Sequence, residues 1–261
     1  MGQLAGKSAI VTGAGRGIGR GVALAFAREG AKVMVASRTP STVEEVVGAI
    51  RSEGGAAVGL ACDVGHHDQI KAMVARTVEA FGGVDILVNN AQGFGTEAHP
   101  VGTPVITPLE TFPEAEWEYT LRTGPLATLR AMQAAFPYMR DKGGKIINFG
   151  SRRGQIGYAG TTAYNAAKEA IRALSRTAAR EWGQYGINVN VINPLVMSHS
   201  LETFQAQYSA QASDALKEVP MRRYGDPERD AGPLAVFLAS PGSDYLTGMT
   251  FMLDGGFYMT P

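Results

Sequence analysis

Cysteine is almost absent from this chain of 261 residues, which has only Cys62. One cysteine excludes an intrachain disulfide and a metal site built from several thiolates, and it suits a reducing compartment. We interpret Cys62 as a small buried apolar residue, with a reactive thiol as the alternative. His66 and His67 have no ligand-like companions, so we expect them at the surface and predict no metal site.

Excess charge and long apolar runs are also missing. Lysine plus arginine equals aspartate plus glutamate at 24 each, so nothing predicts a bulk attraction to nucleic acid or anionic membranes. No apolar run approaches the ~20 residues of a membrane span, and the N-terminus lacks the apolar segment of a signal peptide. We therefore expect a cytoplasmic protein that binds a small molecule at a local site. Its 45% hydrophobic residues are sufficient for a sizeable core.

Strand-like and helix-like segments alternate about seven times along the chain. This alternation predicts an α/β fold with a doubly wound parallel sheet, and no linker or repeat divides residues 1–261 into two domains. The predicted strands are Lys7–Thr12, Ala31–Ser37, Ala56–Ala61, Val84–Val88, Lys145–Phe149, Gly186–Val191 and Met249–Leu253. The predicted helices after the first one are Val43–Glu53, Ile70–Phe81, Glu114–Met139 and Pro227–Ala239.

Two segments interrupt this regular pattern. Residues 93–113 are rich in Gly, Pro and Thr and follow a strand end, the edge where open α/β sheets bind ligands, so we predict a substrate loop there. Residues 195–220 are rich in Gln, Ser and Ala and are predicted to form a mobile helical lid. Between them, Gly124-Pro125 stands near the middle of a predicted helix, where proline kinks or breaks the helix.

A glycine-rich turn, Gly13–Gly19, lies between the first predicted strand and an apolar helical face. Glycines in this setting let the backbone approach a pyrophosphate, and the helix N-terminus offers free N–H groups. The pattern is that of a dinucleotide-binding βα unit, with an ordinary tight turn as the alternative.

The end of the second predicted strand carries Ser37 and Arg38 at the place where an acidic residue would bond the ribose 2′-hydroxyl. A guanidinium instead forms charge-assisted contacts with phosphate, and Arg16 lies in the glycine turn nearby. The pair favours NADP(H) over NAD(H), unless both arginines are solvated surface residues. Asp63, at the end of the third strand, is expected either to bond the adenine amino group or to cap the next helix.

The segment Ser151–Lys168 carries the groups suited to chemistry. Tyr164 and Lys168 are four residues apart and share one helical face. An ammonium beside a phenol favours the phenolate and lowers the tyrosine pKa from its reference of about 10. Ser151 could bond the same substrate oxygen, so the three groups suit carbonyl reduction or alcohol oxidation. A solvated tyrosine–lysine pair is the alternative.

In this order the motifs resemble those of the short-chain dehydrogenase/reductase family over essentially the full chain. The matching residues are Thr12–Gly19, Asn89-Asn90-Ala91, Ser151, Tyr164, Lys168 and Asp254-Gly255-Gly256. The resemblance implies a Rossmann-type single domain, commonly a homotetramer, that transfers hydride between nicotinamide C4 and a carbonyl carbon. It implies Tyr164 as the acid/base, Ser151 as the group orienting the carbonyl, and Lys168 as the group that lowers the tyrosine pKa and bonds the nicotinamide ribose.

The motifs and the resemblance together predict two sets of binding residues. The cofactor set is Gly13, Gly15, Arg16, Gly17, Ile18, Gly19, Ser37, Arg38, Asp63, Val64, Asn90, Ala91, Tyr164, Lys168, Pro194 and Ser198. The substrate set is Gln92, Arg152, Arg153, Tyr158, Met197 and Phe204, in a cavity also bounded by residues 93–95, 155–157, 208 and 257–259. Aromatic and methionine side chains predict a mostly apolar, adaptable cavity. The alternative is that several of them only seal the lid or a neighbouring subunit.

Four departures from the family pattern stand out. Gly124 occupies the position, seven residues after Trp117, of an asparagine that in the family helps hold a water chain, and Gln92 occupies a glycine position. Arg152-Arg153 follows the serine where small or neutral residues are common, so the pair either holds a substrate carboxylate or phosphate or pairs with acids at a subunit interface. Pro194-Leu195 replaces the usual Pro-Gly, and Ser198 or His199 is expected to reach the nicotinamide carboxamide.

The function predicted from the sequence is an NADP(H)-dependent carbonyl reductase or alcohol dehydrogenase acting on a ketone or secondary alcohol. An NAD(H)-dependent alcohol or hydroxysteroid dehydrogenase is one alternative. A nucleotide-binding member with little activity, because of Gly124, is the other.

Overall fold

The computed structural model of the chain describes residues 2–259, with positions 211 and 215 described by their backbone alone; Met1, Thr260 and Pro261 of the predicted domain lie outside it. Its strands are β1 Ser8–Thr12, β2 Lys32–Ser37, β3 Ala56–Ala61, β4 Ile86–Asn89, β5 Phe94–Gly95, β6 Pro100–Val101, β7 Gly144–Phe149, β8 Ile187–Pro194 and β9 Thr250–Leu253. Seven of them form one parallel sheet in the order β3-β2-β1-β4-β7-β8-β9, while β5 and β6 form a small antiparallel pair. The predicted doubly wound α/β fold is confirmed.

Helices cover both faces of this sheet. They are α1 Gly17–Arg28, α2 Pro40–Ser52, α3 His67–Phe81, α4 Glu114–Leu121, α5 Ala127–Met139, α6 Arg152–Ile156, α7 Thr162–Trp182, α8 His199–Gln207, α9 Ser209–Glu218 and α10 Gly232–Ala239. The strands are apolar because they are covered on two sides. In β1, Ala9 and Val11 belong to the core beneath α1, whereas Ile10 belongs to the core beneath α3 and α5. The twofold period of a strand thus divides the core into two layers.

The order of the strands reverses at β1, which pairs with β2 on one side and with β4 on the other. Loops leaving the carboxyl ends of β1 and β4 therefore diverge to opposite faces and leave a crevice between them. Ligands of open α/β sheets bind at such a point. The glycine turn follows β1 and the Asn89-Asn90-Ala91 motif closes β4, so both line this crevice.

Some elements differ from the predicted ones. The predicted helix Glu114–Met139 is divided into α4, a π-helical turn at Arg122–Leu126, and α5. Proline at 125 accounts for the break, because it cannot donate a backbone hydrogen bond. The predicted helix Pro227–Ala239 likewise begins with a π-helical turn before α10. The short helix α6 and the β5–β6 pair inside the predicted substrate loop lack any periodic signal in the sequence.

Within residues 2–259, no helix is both long and apolar enough to cross a membrane.

Candidate active site

The glycine turn is shaped to accept a ligand at close range. Gly13 and Gly17 have φ angles of 66° and 54°, a region that favours glycine. A Cβ on Gly13 would lie 2.7 Å from the Asn90 amide nitrogen, and a Cβ on Gly19 would meet the same atom at 2.6 Å. The Asn90 Nδ2 group donates to the carbonyls of Thr12 and Gly13 over 2.9 and 3.3 Å, which fixes the turn against β4. Side chains at these glycines would displace that amide.

Most of the predicted cofactor residues line one continuous cavity along the crevice. They are Gly13, Arg16, Gly17, Ile18, Ser37, Arg38, Asp63, Val64, Asn90, Ala91, Tyr164, Lys168, Pro194 and Ser198. Gly15 and Gly19 are the exceptions. Gly15 packs against Ser37 and Thr42, and Gly19 packs against the Gly13 carbonyl, so both shape the turn without facing the cavity.

Two arginines, Arg16 and Arg38, line this cavity close enough for their charges to interact. The pKa of Arg16 is lowered, first by burial and then by the like charge of Arg38. The Arg38 Nη1 atom donates to the Tyr119 hydroxyl over 3.1 Å. Among the described residues, no carboxylate lies within ion-pair distance of either arginine. The crevice therefore has two neighbouring positive charges without a direct ion-pair partner among the described residues, although the more distant Glu202 acts on the charge of Arg16.

Asp63 and Ser198 both have local structural roles. An Asp63 carboxylate oxygen accepts from the Gly65 N–H over 2.8 Å, ahead of α3, and the residue also lines the cavity. Ser198 is the N-cap of α8 because its hydroxyl accepts from the Leu201 N–H over 3.2 Å. Cys62 is buried, as expected, and burial raises the pKa of its thiol to about 11. His66 and His67 are exposed.

Ser151, Tyr164 and Lys168 come together at the centre of the cavity. Ser151 stands at the N-terminus of α6, and its hydroxyl accepts from the Arg153 N–H over 3.1 Å. The same hydroxyl is close enough to the Tyr164 phenol to lower its pKa. The Lys168 ammonium lies 5.5 Å from the centre of the Tyr164 ring and donates to the Phe149 carbonyl over 2.9 Å. The end of β7 therefore holds the lysine directly below the phenol.

The electrostatics differ from the expectation of a lowered tyrosine pKa. In this structure, burial raises the pKa of Tyr164, while the Ser151 hydrogen bond and the positive charge of Arg153 oppose that effect. Burial also lowers the pKa of Lys168 to about 8. Lys168 is not among the groups that lower the pKa of the phenol here. The pKa of Tyr164 is therefore raised here and not lowered as expected, because desolvation acts on both groups.

The buried lysine predicts a specific pH dependence of stability. Its folded pKa of about 8 lies below the ordinary 10.5, so the unfolded chain binds more protons between these values. The free energy of unfolding should then rise with pH across this window. We expect the ligand-free wild type to gain stability relative to Lys168→Met as pH rises from 8 to 10.5, measured by urea unfolding. Parallel curves for the two proteins would contradict this assignment.

The space at Gly124 is filled by Gln92. A Cβ on Gly124 would lie 2.7 Å from the Gln92 Oε1 atom and 3.1 Å from Nε2. The Nε2 group donates to the carbonyls of Gly93 and Thr120 over 3.0 and 3.1 Å. In a π-helical turn the residue five positions after Thr120 would donate to that carbonyl, but this residue is Pro125. The Gln92 amide thus replaces the backbone donor that proline lacks.

Gln92 also leaves one group free. Its Oε1 atom is buried and has no hydrogen-bond partner among the described residues. A buried acceptor without a partner is unfavourable, and such atoms commonly meet water or a ligand. Gln92 lines the cavity together with Lys168, while its Oε1 atom is buried beside the cavity.

The substrate end of the cavity contains most of the residues predicted for it. Gln92, Arg152, Arg153, Tyr158 and Phe204 line it, as does Phe257 from the predicted C-terminal boundary. Met197 does not line the cavity, which corrects the prediction. Its N–H donates to the Gly225 carbonyl over 2.8 Å within a short bridge between Val196 and Gly225. In this extended backbone the neighbouring residues Val196 and Ser198 line the cavity instead.

Several cavity residues had no motif to identify them. They include Val101, Gly102, Thr103, Pro104, Tyr119, Thr123, Leu201, Ala212 and Tyr224. The residues at 101–104 lie in the predicted substrate loop, and those at 201 and 212 lie in the predicted lid. The sequence therefore identified the segments that reach the cavity, but not the individual residues that line it. Tyr119 lies on α4 and reaches the Arg38 guanidinium, a contact for which the sequence has no signal.

Among the described residues, no three histidine, cysteine, aspartate or glutamate side chains stand close enough together to hold a metal ion.

Comparisons with known proteins agree with this geometry. The family model described as enoyl-(acyl carrier protein) reductase matches residues 13–258. A 12α-hydroxysteroid dehydrogenase of Clostridium sp. is 38% identical over 268 residues, covering 100% of both chains. A 3-oxoacyl-(acyl-carrier-protein) reductase of Staphylococcus aureus is 35% identical over 256 residues, covering 97% of this chain and 98% of the relative.

A solved structure shows the same architecture. It is a 7α-hydroxysteroid dehydrogenase complexed with NADH and 7-oxo glycochenodeoxycholic acid, with a TM-score of 0.88 and 30% identity over 97% of this chain and 95% of the other. The family model, the relatives and the solved structure each match nearly the whole sequence. The chain therefore belongs to the short-chain dehydrogenase/reductase family of oxidoreductases, which act on CH–OH and C=O groups with nicotinamide cofactors.

Proposed function

We propose that this protein is an NADP(H)-dependent carbonyl reductase or alcohol dehydrogenase acting on a ketone or secondary alcohol. The observation that carries the cofactor choice is the pair of cavity-lining arginines, Arg16 in the glycine turn after β1 and Arg38 just after β2. Among the described residues, neither has a carboxylate within ion-pair distance. A 2′-phosphate would satisfy both, whereas a bare ribose hydroxyl would leave the charges unbalanced. The glycine turn offers the close backbone approach that a pyrophosphate requires.

The residues of the chain would share the chemistry in the following way. When bound, the nicotinamide supplies or accepts the hydride. Ser151 and Tyr164 would present their hydroxyls to one substrate oxygen, because they line the same cavity and Ser151 is close enough to act on the Tyr164 phenol. Tyr164 would give its proton to that oxygen during reduction and take it back during oxidation. Lys168 would bond the cofactor ribose and stabilise negative charge on the phenol from below.

The cofactor choice can be tested at Arg38. We expect Arg38→Asp to lower kcat/KM for NADPH by about 10- to 100-fold, the cost of losing a hydrogen bond to a charged group and adding a like charge. The value for NADH should stay within about threefold of wild type or rise. Arg176→Met, an exposed arginine of α7, is the control. A wild type that prefers NADH, or equal losses for both cofactors in Arg38→Asp, would contradict the proposal.

The relatives suggest where to look for substrates. The names of two hydroxysteroid dehydrogenases and of the 3-oxoacyl reductase refer to compounds that contain a hydroxyl or an oxo group. Several apolar and aromatic side chains line the cavity here, including Phe94, Tyr158, Phe204 and Phe257. A panel of oxo-steroids, 3-oxoacyl thioesters and simple ketones with NADPH tests the reaction class. Absence of turnover above background with every member and either cofactor would refute the proposal.

An NAD(H)-dependent hydroxysteroid dehydrogenase is the second candidate, because the solved relative holds NADH and an oxidised bile acid conjugate. The same comparison of cofactors separates the two. The substrate role of residues 93–113, the lid role of residues 195–220, the homotetramer and the cytoplasmic location stay predictions.

A further inference from the structure

Two arginines that no part of the proposed reaction uses point into the substrate end of the cavity. Arg152 and Arg153 follow the catalytic serine directly and begin α6. Neither guanidinium has a carboxylate within ion-pair distance or a hydrogen-bond acceptor among the described residues. Charged groups that are partly withdrawn from water normally have such partners.

Aromatic rings hold Arg153 in place instead. Its guanidinium carbon lies 4.6 Å from the centre of the Tyr158 ring and 4.5 Å from that of Phe204. Tyr158 follows α6, and Phe204 lies on α8, 46 positions after Tyr158. This aromatic clamp, formed by Tyr158 and Phe204 on the two sides of Arg153, therefore joins the turn after α6 to the predicted lid. Stacking fixes the plane of a guanidinium and leaves its N–H groups at the rim free to donate.

The position of Arg153 relative to the reacting atoms is also favourable. Its backbone N–H donates to Ser151, and its positive charge is near enough to act on the Tyr164 hydroxyl. An anion bonded to this guanidinium would therefore lie beside the carbonyl that Ser151 and Tyr164 receive. The cavity then fits a substrate whose acidic group is close to its reacting carbon.

Arg152 has a different environment. Its guanidinium lies 3.5 Å from the centre of the Phe257 ring, and the acidic residues Glu218 and Asp254 act on its charge. The Asp254 carboxylate itself accepts from the N–H groups of Gly256 and Tyr258 over 3.1 and 2.9 Å. Arg152 thus faces the C-terminal turn and nearby negative charge, whereas Arg153 faces the reacting groups.

We propose that Arg153 is an anion-binding residue that selects oxo and hydroxy acids, compounds with a carboxylate a few bonds from the ketone or secondary alcohol. The inference rests on the proposed reductase function and narrows it to a substrate class. The carboxylate accepts hydrogen bonds from two N–H groups of the stacked guanidinium, while the ketone oxygen accepts hydrogen bonds from Ser151 and Tyr164. Hydride and proton go to the ketone, and the carboxylate is unchanged.

The test compares acids with their neutral amides. Acetoacetate and acetoacetamide form one pair, and 4-oxopentanoate and its amide form another; each is assayed with NADPH. We expect wild type to have a lower KM for the acid in at least one pair, and Arg153→Met to raise that KM about 10- to 100-fold while changing the KM for the amide less than threefold. Arg153→Lys keeps the positive charge but lacks the paired N–H donors of a guanidinium, so it should recover part of the loss.

Two comparisons keep the result unambiguous. Arg152→Met should change the ratio of acid KM to amide KM less than threefold, because this guanidinium faces the C-terminal turn. If Arg153 acts only through the charge it places near Tyr164, Arg153→Met will lower kcat for acid and amide alike, and the anion proposal is overturned. Equal KM values for acid and amide in wild type overturn it as well.

A binding measurement separates this inference from the proposed function. Calorimetric titration of pentanoate and pentanamide into the enzyme with NADP⁺ needs no turnover. Tighter binding of pentanoate, lost in Arg153→Met, supports the anion site even if no ketone of the panel is reduced. Turnover of the neutral amides without any preference for the acids leaves the reductase function in place and removes the anion site.

Discussion

Tyr164→Phe is expected to reduce kcat by about 10²- to 10⁴-fold with any substrate that the wild type turns over, the range in which one general acid–base group contributes. The substitution removes one hydroxyl and keeps the ring, which packs edge-on against Phe94 with centres 5.6 Å apart. Fold and cavity shape should therefore be retained. Initial rates of NADPH oxidation with a ketone, measured for the variant and for wild type, give the ratio of the two kcat values.

The affinity for NADPH provides the internal control for this variant. The cofactor contacts proposed for the glycine turn and for Arg38 are untouched, so the dissociation constant measured by fluorescence titration should change less than about threefold. A variant with normal rates would remove Tyr164 from the chemistry. Lost cofactor binding together with a lowered melting temperature would instead indicate damage to the fold. Ser151→Ala, which removes the hydroxyl close to the Tyr164 phenol, should show a smaller defect of the same kind.

Gly124→Asn should destabilise the protein, by about 1–3 kcal/mol in the free energy of unfolding, because the new side chain enters a filled space. The three atoms nearest to a Cβ at this position all belong to Gln92, at 2.7, 3.1 and 3.3 Å. Gln92→Gly alone should also be destabilising, by about 1–3 kcal/mol, since the Thr120 carbonyl loses the donor that stands in for Pro125.

The double variant Gln92→Gly/Gly124→Asn is the decisive member of this cycle. Removing Gln92 clears the site for the asparagine, whose amide can then serve the same π-helical turn. We expect the double variant to be more stable than the sum of the single effects predicts, by about 0.5–3 kcal/mol, the usual coupling between contacting residues. Urea unfolding of the four proteins gives this number. Additive effects would show that an asparagine amide at position 124 does not take over the role of the Gln92 amide.

The large features of the fold could be predicted because they depend on local patterns. Each strand of the main sheet is a short apolar run, and the glycine turn lies between the first strand and the first helix. The alternation of strands and helices is enough to predict a parallel, doubly wound sheet. Ser151, Tyr164 and Lys168 could be found since two of them share a helical face and the third ends a strand. Their meeting around one cavity agrees with that prediction.

Other features depend on contacts between distant parts of the chain, and the sequence has no local signal for them. Gln92 looked like an isolated departure from a motif, and Gly124 like another, because nothing in the sequence says that the two are in contact. The aromatic clamp on Arg153 joins residues from α8 and from the turn after α6. The raised pKa of Tyr164 follows from burial, which spacing alone cannot reveal.

The helix α8 borders both halves of the crevice at once. At its start, Ser198 lies 3.6 Å from the position of a Cβ on Gly17, in the glycine turn, and further along Phe204 covers the Arg153 guanidinium. A shift of this one helix changes both contacts together. If occupancy of either half moves α8, the affinities of the two ligands become linked, and linkage requires that each change the affinity of the other by the same factor. Nine residues, His199–Gln207, would then be enough for cofactor and substrate each to change the binding affinity of the other.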